Sequence, residues 1–260
     1  MSSVKVTHQD RIQDGIKYAE ETLLDQGGHL EIDKRLLKKH FDFNGKTVMD
    51  FGCGVGGMSI WMANHLGAIV DGYDIDEKHI EVAFALLKKY PTENVTFSQK
   101  NIIENPIDKE YDVIILNDVI EHIKPDWIPG ILTILVNRNL KKGGLLYFSY
   151  PPWEGPYASH MQRVINVPWL QYMPQKMLVN MIRKRNQTTL GQYDLVQEYL
   201  ELNHMTHKKL MKFMEPLPVE PEFRYSHTKL NKINLFANTS FYWWPAKHLI
   251  SKEFITFRKK

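Results

Sequence analysis

The residues best suited to chemistry are an aspartate and the glycines that follow it between positions 50 and 57. The segment reads Asp-Phe-Gly-Cys-Gly-Val-Gly-Gly, and it continues an apolar run over 47–51 that is typical of a buried strand. Glycine tolerates the backbone angles of a tight turn and allows a ligand to touch the main chain. Gly52, Gly54 and Gly57 satisfy the G-x-G-x-x-G pattern of dinucleotide-binding turns, so the segment predicts a nucleotide-cofactor site.

The same turn satisfies a second pattern, D-x-G-x-G-x-G, through Asp50, Gly52, Gly54 and Gly56. Here the sequence resembles the first motif of the class I methyltransferases that depend on S-adenosylmethionine (SAM). The resemblance implies that these residues and Cys53 bind SAM, with S-adenosylhomocysteine as the product. A carboxylate at the strand tip suits the ammonium group of SAM and disfavours a nearby pyrophosphate. We therefore prefer SAM, and an NAD-dependent oxidoreductase is an alternative.

Two later strand ends extend the resemblance. Asp74 ends the second strand and matches the family's ribose-binding acid, and Ile75 would lie against the adenine. Asp76 is instead predicted to cap the next helix. Asn101 and Ile102 follow the third strand, where the resemblance implies contacts with the adenine amino group and ring. The family often has an acidic residue at the first of these two positions, and the amide oxygen of asparagine can accept the same hydrogen bond.

The fourth strand ends in Asn-Asp-Val-Ile-Glu-His, residues 117–122, which resembles the family's pattern after this strand. The resemblance implies that Asn117 touches SAM through its carbonyl, and that Asp118 and His122 point towards the acceptor. Methyl transfer often requires removal of a proton from the acceptor, and a histidine that titrates near neutrality is a natural base. His122, His160 and Asp118 are therefore the catalytic candidates, and the sequence does not rank them.

The chain after the fifth strand carries the candidate acceptor-binding residues. Its start, 150–160, is rich in proline and aromatic residues and resembles a segment of the methyltransferase-11 type, with Pro168-Trp169 further on. We predict that these aromatic and basic side chains line the acceptor pocket: Tyr150, Trp153, Tyr157 and Arg163. The basic run 183–185 is typical of a solvated helix face, and the sharper alternative is that it meets an anionic acceptor such as a phosphorylated or nucleotide-linked sugar.

Alternating strand and helix patterns over 47–150 predict a parallel sheet with right-handed crossovers. The predicted strands cover 47–51, 68–73, 95–98, 111–116, 145–150, 222–227 and 253–258. The fold class is therefore α/β, a Rossmann-like doubly wound sheet of seven mostly parallel strands with a helical cap insertion. We expect one methyltransferase domain over 1–260, with N-terminal helices in 1–44 and a cap over the acceptor site in 153–215. A helix over 127–140 is predicted to end at Gly143-Gly144.

Composition narrows the possible functions. Lys plus Arg is 33 and Asp plus Glu is 30, and this net charge of +3 does not indicate a nucleic-acid partner. Methyltransferases that act on nucleic acids carry the tetrad Asn/Asp-Pro-Pro-Tyr/Phe after the fourth strand. Tyr-Pro-Pro-Trp over 150–153 lacks the leading polar residue of this tetrad and follows the fifth strand. The single cysteine excludes an intramolecular disulfide and a cysteine zinc cluster, and it fits a reducing, cytoplasmic location. No metal site is predicted.

No apolar run reaches 18 residues, and the first ten residues lack the apolar core of a signal peptide, so we expect no membrane span. The predicted function is methyl transfer from SAM to an oxygen or nitrogen of a small molecule or of a sugar or glycan precursor. A SAM-binding partner protein without activity is the second alternative. The sequence leaves the oligomeric state open between monomer and homodimer.

Overall fold

The computed structural model of the chain describes residues 7–26, 30–161, 164–185, 195–236 and 239–260. Seven strands in these residues form one sheet. They are β1 (Thr47–Phe51), β2 (Ile69–Asp74), β3 (Val95–Gln99), β4 (Tyr111–Asn117), β5 (Leu140–Tyr150), β6 (Val219–Thr228) and β7 (Ile250–Lys259). The strand order is β3-β2-β1-β4-β5-β7-β6. The predicted seven-stranded Rossmann-like sheet is confirmed.

The α-helices of the described residues precede or connect these strands along the chain. They are α1 (His8–Leu23), α2 (Glu31–His40), α3 (Gly57–Leu66), α4 (Glu77–Lys89), α5 (Ile128–Ile134), α6 (Gln175–Arg185), α7 (Leu195–Glu201) and α8 (His207–Met214). None of these helices has the length and hydrophobicity needed to cross a bilayer. Gly27 and Gly28, a glycine pair that predicts a break between the first two helices, lie outside the described residues.

The first half of the sheet has a regular parallel register. β1 pairs in parallel with β2 and with β4, and β2 pairs in parallel with β3. Asp50 lies opposite Gly72 on one side and Ile115 on the other. The central strand β4 contains a run of four buried apolar residues over 113–116, which is typical of a parallel sheet covered on both faces. This register brings the carboxyl ends of β1 and β2 to the same edge, where the glycine turn begins.

The helix predicted over 127–140 is confirmed, and it changes type along its length. α5 ends at Ile134, and a π-helix continues it over Leu135–Asn139. The expectation that Gly143-Gly144 end this helix is wrong, because β5 begins at Leu140 and contains both glycines. The Asn139 side chain, at the end of the π-helix, donates to the carbonyls of Ile107 at 2.8 Å and Lys109 at 3.0 Å.

The chain packs as two compact units. Unit 1 comprises 1–117, 133–147 and 259–260, and unit 2 comprises 118–132 and 148–258. In unit 1, α1 packs against α3 and α4. In unit 2, α6 and α7 enclose an apolar core that includes Leu178, Ile182 and Val196. The described part of 153–215 contains helices and no strand, as predicted, and its role as a cap stays a prediction.

Candidate cofactor and acceptor sites

Asp50 is a buried carboxyl at the end of β1 in unit 1. It is 2% exposed, and its Oδ2 accepts a hydrogen bond from the Ser59 hydroxyl of α3 at 2.6 Å. Burial raises the pKa of Asp50, the Ser59 hydrogen bond lowers it, and the nearby Asp74 carboxylate raises it, so that the resulting pKa is about 6. A buried carboxyl that ionises near neutrality and has one hydrogen-bond donor is suited to a cationic ligand group.

The glycine turn is fixed by backbone hydrogen bonds to β2. The amides of Gly52 and Cys53 both donate to the carbonyl of Tyr73, at 2.7 and 3.0 Å. Gly54 has a φ of +52°, in the left-handed region, and a Cβ at this residue would have no other atom within 4 Å. The main chain at Gly54 therefore borders open space, which is the property that a cofactor-binding turn requires.

Gly57, the last glycine of the run, has a packing role. A Cβ at this residue would lie 2.6 Å from the carbonyl oxygen of Ala19 in α1. Only glycine allows this close approach of α1 to the start of α3. Gly57 is the third glycine of the dinucleotide pattern, and helix packing explains why it is a glycine. Gly52, Gly54 and Gly56 instead have positive φ angles in the turn itself.

Asp74 joins the end of β2 to the glycine turn. Its Oδ2 accepts from the Gly54 amide at 2.8 Å, and its Oδ1 accepts from the Asp76 amide at 2.8 Å and lies 3.3 Å from His79 Nδ1. Burial alone would raise the pKa of Asp74, but His79 and the two amides together lower it. Asp74 is therefore a preorganised carboxylate. Asp76 caps α4 by accepting from the Lys78 amide, as predicted.

The remaining predicted cofactor-binding residues divide into exposed and enclosed side chains. Ile75 is 56% exposed beside Asp74, whereas Ile102 and Cys53 are buried. The Asn101 Oδ1 accepts from the Ile103 amide at 3.2 Å, which is a local turn contact. Asn117 is the last residue of β4 and is half-buried. Of these residues, Ile75 offers the largest apolar surface to a ligand.

Ser59 and His79 are site residues that the sequence analysis missed. Each holds one of the two predicted carboxylates, Ser59 from α3 and His79 from the first turn of α4. The available signal was their position, since both lie in the first turn of a helix that directly follows a candidate ligand residue. A polar residue there faces back towards the strand end.

The first catalytic candidate of unit 2 lies in a short turn after β4. Residues 120–122 form one turn of 3₁₀-helix that contains buried Glu121 and exposed His122. Asn203 fixes this turn, because its side-chain amide donates to the carbonyls of Ile120 at 2.6 Å and Ile123 at 2.8 Å. Its backbone amide donates to the Glu121 carbonyl at 2.9 Å. Asn203 is a positioning residue that the sequence analysis did not identify.

His160 lies beside this turn. Its ring packs edge-to-face on the ring of His122, with centroids 4.8 Å apart. His160 Nε2 lies 3.5 Å from Glu121 Oε1, and Nδ1 lies 4.0 Å from Glu198 Oε1. The φ of His160 is +58°, an uncommon angle for a residue with a side chain. The two predicted histidines are therefore neighbours, and a buried carboxylate adjoins one of them.

The pKa of His122 is lowered from its ordinary value. His122 is exposed as a residue, yet desolvation of its ring by surrounding groups is the largest effect on its pKa, against the opposing fields of Asp118 and Glu201. A lowered pKa keeps the imidazole neutral at pH 7, and a neutral imidazole can accept a proton.

Asp118 has a different environment from the two histidines. Its Oδ2 accepts from Lys252 Nζ at 2.7 Å, and Lys252 is itself buried. Its backbone amide donates to the Ser149 carbonyl at 2.9 Å, and its φ is +51°. Strained backbone at a non-glycine residue is concentrated at functional sites. The ion pair makes Asp118 a poorer base than His122, because protonation would leave Lys252 with an unneutralised charge.

The predicted acceptor-binding residues have unequal access. Trp153 stacks on His204 with ring centroids 3.8 Å apart, and Tyr157 lies under the Lys229 ammonium at 4.7 Å. Tyr150 is fully buried, and its hydroxyl donates to Glu253 at 3.0 Å. Arg163 lies outside the described residues.

Glu253 is a buried carboxylate that gathers three partners in unit 2. It is 1% exposed, and besides Tyr150 it binds Arg224 Nε at 2.7 Å and lies 2.8 Å from His207 Nδ1. Burial would raise the pKa of Glu253, but His207 and Arg224 lower it. The Tyr150 hydroxyl therefore belongs to a charged network and acts on its surroundings through Glu253.

Three side chains of unit 2 could together hold a metal ion. One ligand atom from each of Glu121, His122 and His160 lies within 4.8 Å of the others. Imidazole and carboxylate are ligands that transition metals accept. The sequence predicted no metal, and this cluster makes chelation a necessary test of that prediction.

Comparison with known proteins fits these features. The family model Methyltransf_23, a methyltransferase domain, matches residues 24–192. The fold is shared with magnesium protoporphyrin IX methyltransferase of Synechocystis PCC 6803, crystallised with bound S-adenosylhomocysteine. The TM-score is 0.53 at 16% identity, over 100% of this chain and 90% of that one. The chain therefore belongs to the class I SAM-dependent methyltransferases, and SAM is the cofactor of this class.

Two curated relatives share part of their length with the chain. It is 30% identical to the demethylmenaquinone methyltransferase of Lactococcus lactis over 115 residues, which are 42% of this chain and 44% of the relative. It is 32% identical to the ubiquinone biosynthesis O-methyltransferase of Coxiella burnetii over 116 residues, 44% of this chain and 47% of the relative. The match thus spans less than half the length of these relatives.

Proposed function

We propose that the chain transfers a methyl group from SAM to an oxygen or nitrogen atom of a small-molecule acceptor. The observation that carries the proposal is the arrangement of two carboxyl groups about one open glycine turn. Asp50 is buried at the start of the turn, and Asp74 accepts from the Gly54 amide within it. A cation-binding carboxyl and a carboxylate at the end of the next strand match the ammonium and ribose groups of SAM.

Each part of SAM has a proposed partner in unit 1. Asp50 accepts from the ammonium of the methionyl group, and Asp74 accepts from the ribose hydroxyls. Ile75 lies against the adenine, supported by its exposed side chain. The remaining predicted contacts come from main-chain atoms of Gly52, Cys53, Gly54 and Gly56, from Asn101 and Ile102, and from the carbonyl of Asn117.

His122 is the proposed base. The acceptor oxygen or nitrogen attacks the methyl carbon of the sulfonium, the bond between sulfur and methyl breaks, and its electron pair stays on sulfur. The acceptor proton passes to the neutral imidazole of His122, whose lowered pKa supports this role. The product is S-adenosylhomocysteine, and the imidazolium later releases its proton to water.

The neighbours of His122 support its position and charge. The His160 ring limits the rotation of the His122 ring through their edge-to-face contact at 4.8 Å. Asn203 fixes the turn that carries His122. Asp118 is paired with Lys252 and is proposed to steer the acceptor or to stabilise the imidazolium.

We propose an acceptor with a planar or sugar ring. The stacked Trp153 and His204 supply a flat surface, and Tyr157 with Lys229 adds an aromatic face next to a positive charge. The curated relatives are named for demethylmenaquinone and ubiquinone biosynthesis, which supports a small organic acceptor. A sugar or glycan precursor, neutral or anionic, is the narrower proposal.

A transfer assay with methyl-labelled SAM tests the function. The purified protein is incubated with a catechol, a hydroquinone, a free sugar and a nucleotide-linked sugar, with the His122→Ala variant as control. Labelled product from one acceptor class, formed much more slowly by the variant, supports methyl transfer and names the class. Binding of SAM without transfer to any member would favour a SAM-binding partner protein. For an active anionic acceptor, the KM should rise with sodium chloride, and a KM insensitive to salt contradicts recognition by charge.

The predicted cytoplasmic location, the monomeric or homodimeric state and the absence of a nucleic-acid partner stay predictions. The exposed basic run over 183–185 in α6 fits a solvated helix face.

A further inference from the structure

The segment between β6 and β7 in unit 2 has a large exposed apolar surface. We call residues 229–249 the aromatic loop. Its side chains Trp243, Trp244 and Leu235 are 64%, 75% and 82% exposed, and Ile233 and Leu249 are also exposed. Neither the proposed SAM site nor the proposed base uses them. Exposed apolar residues that are scattered singly over a surface are common, but several of them in one short segment indicate an interaction surface.

Hydrogen bonds fix the described part of this loop. The Asn231 side-chain amide donates to the carbonyls of Phe236 at 2.7 Å and Thr239 at 2.8 Å, and the Phe241 amide donates to the Ser226 hydroxyl at 2.9 Å. A turn of 3₁₀-helix over 246–249 follows the two tryptophans. The tryptophans are therefore presented by an ordered support, which lowers the entropy lost when they bind a surface.

A third exposed tryptophan adjoins the loop. Trp169 donates from its indole Nε1 to the carbonyl of His248 at 3.1 Å, and Trp169 is itself exposed. The indole N–H contacts the main chain of the turn that follows Trp243 and Trp244. The apolar surface therefore includes a residue that lies outside the aromatic loop in sequence.

The charged residues of the aromatic loop have one sign. Residues 229–249 contain the lysines Lys229, Lys232 and Lys247 and no aspartate or glutamate. Lys229 lies over the Tyr157 ring, and Lys247 is 3.9 Å from Glu154, which lies outside the loop. An apolar surface bordered by cations fits a partner that is apolar inside and negatively charged at its boundary.

Two occupants can be compared on this basis. In a two-fold symmetric dimer the same patch would face itself, so the cations of one copy would meet those of the other. An anionic lipid surface offers acyl chains to the apolar side chains and phosphate groups to the lysines. Tryptophan is also the residue that prefers the boundary between lipid and water. The charge pattern therefore favours the lipid surface.

We propose that the aromatic loop docks the protein on the surface of an anionic lipid bilayer, with Trp243 and Trp244 entering the headgroup layer. Docking is peripheral and reversible. It can be tested apart from the proposed methyl transfer, because Trp243, Trp244, Lys232 and Lys247 belong neither to the proposed cofactor and acceptor sites nor to the base.

Vesicle sedimentation of the full chain tests this proposal. The vesicles are phosphatidylcholine alone, or phosphatidylcholine with about one third phosphatidylglycerol. The wild type should bind the anionic vesicles and not the neutral ones. The double variant Trp243→Ser/Trp244→Ser should lose about tenfold or more in vesicle affinity, because it removes most of the inserted apolar surface. Lys232→Gln/Lys247→Gln should lose about tenfold and its preference for phosphatidylglycerol.

Trp127→Ser is the matched control, since Trp127 is an exposed tryptophan beside a lysine elsewhere in unit 2. It should bind vesicles like the wild type. Three results would overturn the proposal: no binding of the wild type to either vesicle, equal binding by the double tryptophan variant, or equal loss in Trp127→Ser. A wild-type dimer in sedimentation velocity that becomes monomeric in the double tryptophan variant would also overturn it and assign the patch to contact between copies.

Discussion

The carboxyl groups of the two candidate sites are held in contrasting ways. In unit 1, Asp50 and Asp74 bind groups close in sequence, and the partner of Asp50 is nine residues away. In unit 2, Asp118 binds Lys252 and Glu253 binds Tyr150, across 134 and 103 residues. The proposed cofactor carboxyls are thus held by local contacts, whereas those of the candidate acceptor half depend on contacts between distant segments. This difference predicts that a substitution at one candidate site will impair its own function, cofactor binding or catalysis, and leave the other intact.

The largest expected effect is on the proposed base. His122→Ala should lower kcat by about a hundredfold or more, because general-base catalysis contributes about that factor. The affinity for S-adenosylhomocysteine should be unchanged within about twofold, measured by calorimetry. A parallel loss of cofactor affinity would break the proposed separation of the two halves. His160→Ala is the companion variant, and a smaller loss of kcat is expected because His160 acts through His122.

The second effect is on cofactor affinity. Asp74→Ala removes the acceptor of the ribose hydroxyls and of the Gly54 amide, so the Kd of S-adenosylhomocysteine should rise by about 30-fold, the value of one strong charge-assisted hydrogen bond. Asp76→Ala is the matched control two residues away, because Asp76 caps α4. That variant should lose about 1 kcal/mol of stability with little change in Kd. Equal changes in Kd would remove the ribose role from Asp74.

The pH dependence of cofactor binding sharpens the role of Asp50. Its pKa of about 6 is above the value of an unfolded aspartate, so its contribution to the stability of the free protein is present at low pH and lost as pH rises through 6. The ammonium of SAM binds the ionised form. The affinity for S-adenosylhomocysteine should therefore fall about tenfold per pH unit below 6 and level off above it.

The variant Asp50→Asn is the control for this titration. It should bind the cofactor more weakly at pH 7.5 and lose the dependence on pH near 6, because the amide does not ionise. The thermal shift caused by the cofactor should follow the same curve in the wild type. A wild-type affinity that stays constant between pH 5 and 7.5 would contradict an ion pair with Asp50.

The smallest expected effect comes from metal removal. The sequence predicted no metal, and the cluster of Glu121, His122 and His160 is a place where that prediction can fail. Dialysis against EDTA should leave methyl transfer unchanged. A loss of activity that added Zn²⁺ or Mg²⁺ restores would make His122 a metal ligand in place of a free base.

The sequence could predict the part of the site that local rules encode. A strand, a glycine turn and an acid at the next strand end follow each other within 30 residues, and their positions in the sheet follow from the parallel register. The helix cap at Asp76 was predictable for the same reason, because capping depends on the next two residues. Gly57 shows a limit within this region, since its packing against Ala19 depends on α1.

The rest of the site depends on contacts that no local pattern reports. Asn203 hydrogen-bonds to residues about 80 positions earlier, and Lys252 lies 134 positions after its partner Asp118. Tyr150 was predicted to bind the acceptor, but the approach of Glu253 places its hydroxyl in a buried network. The Asn139 side chain likewise donates to the carbonyls of Ile107 and Lys109, about 30 positions earlier in the chain.

The central claim is that the glycine turn binds SAM. Isothermal titration calorimetry of the purified protein with SAM, S-adenosylhomocysteine and NAD tests it most directly. We expect saturable binding of both adenosyl ligands at one site per chain, weakened in Asp74→Ala, and no heat of binding with NAD. Binding of NAD without binding of either adenosyl ligand would contradict the account.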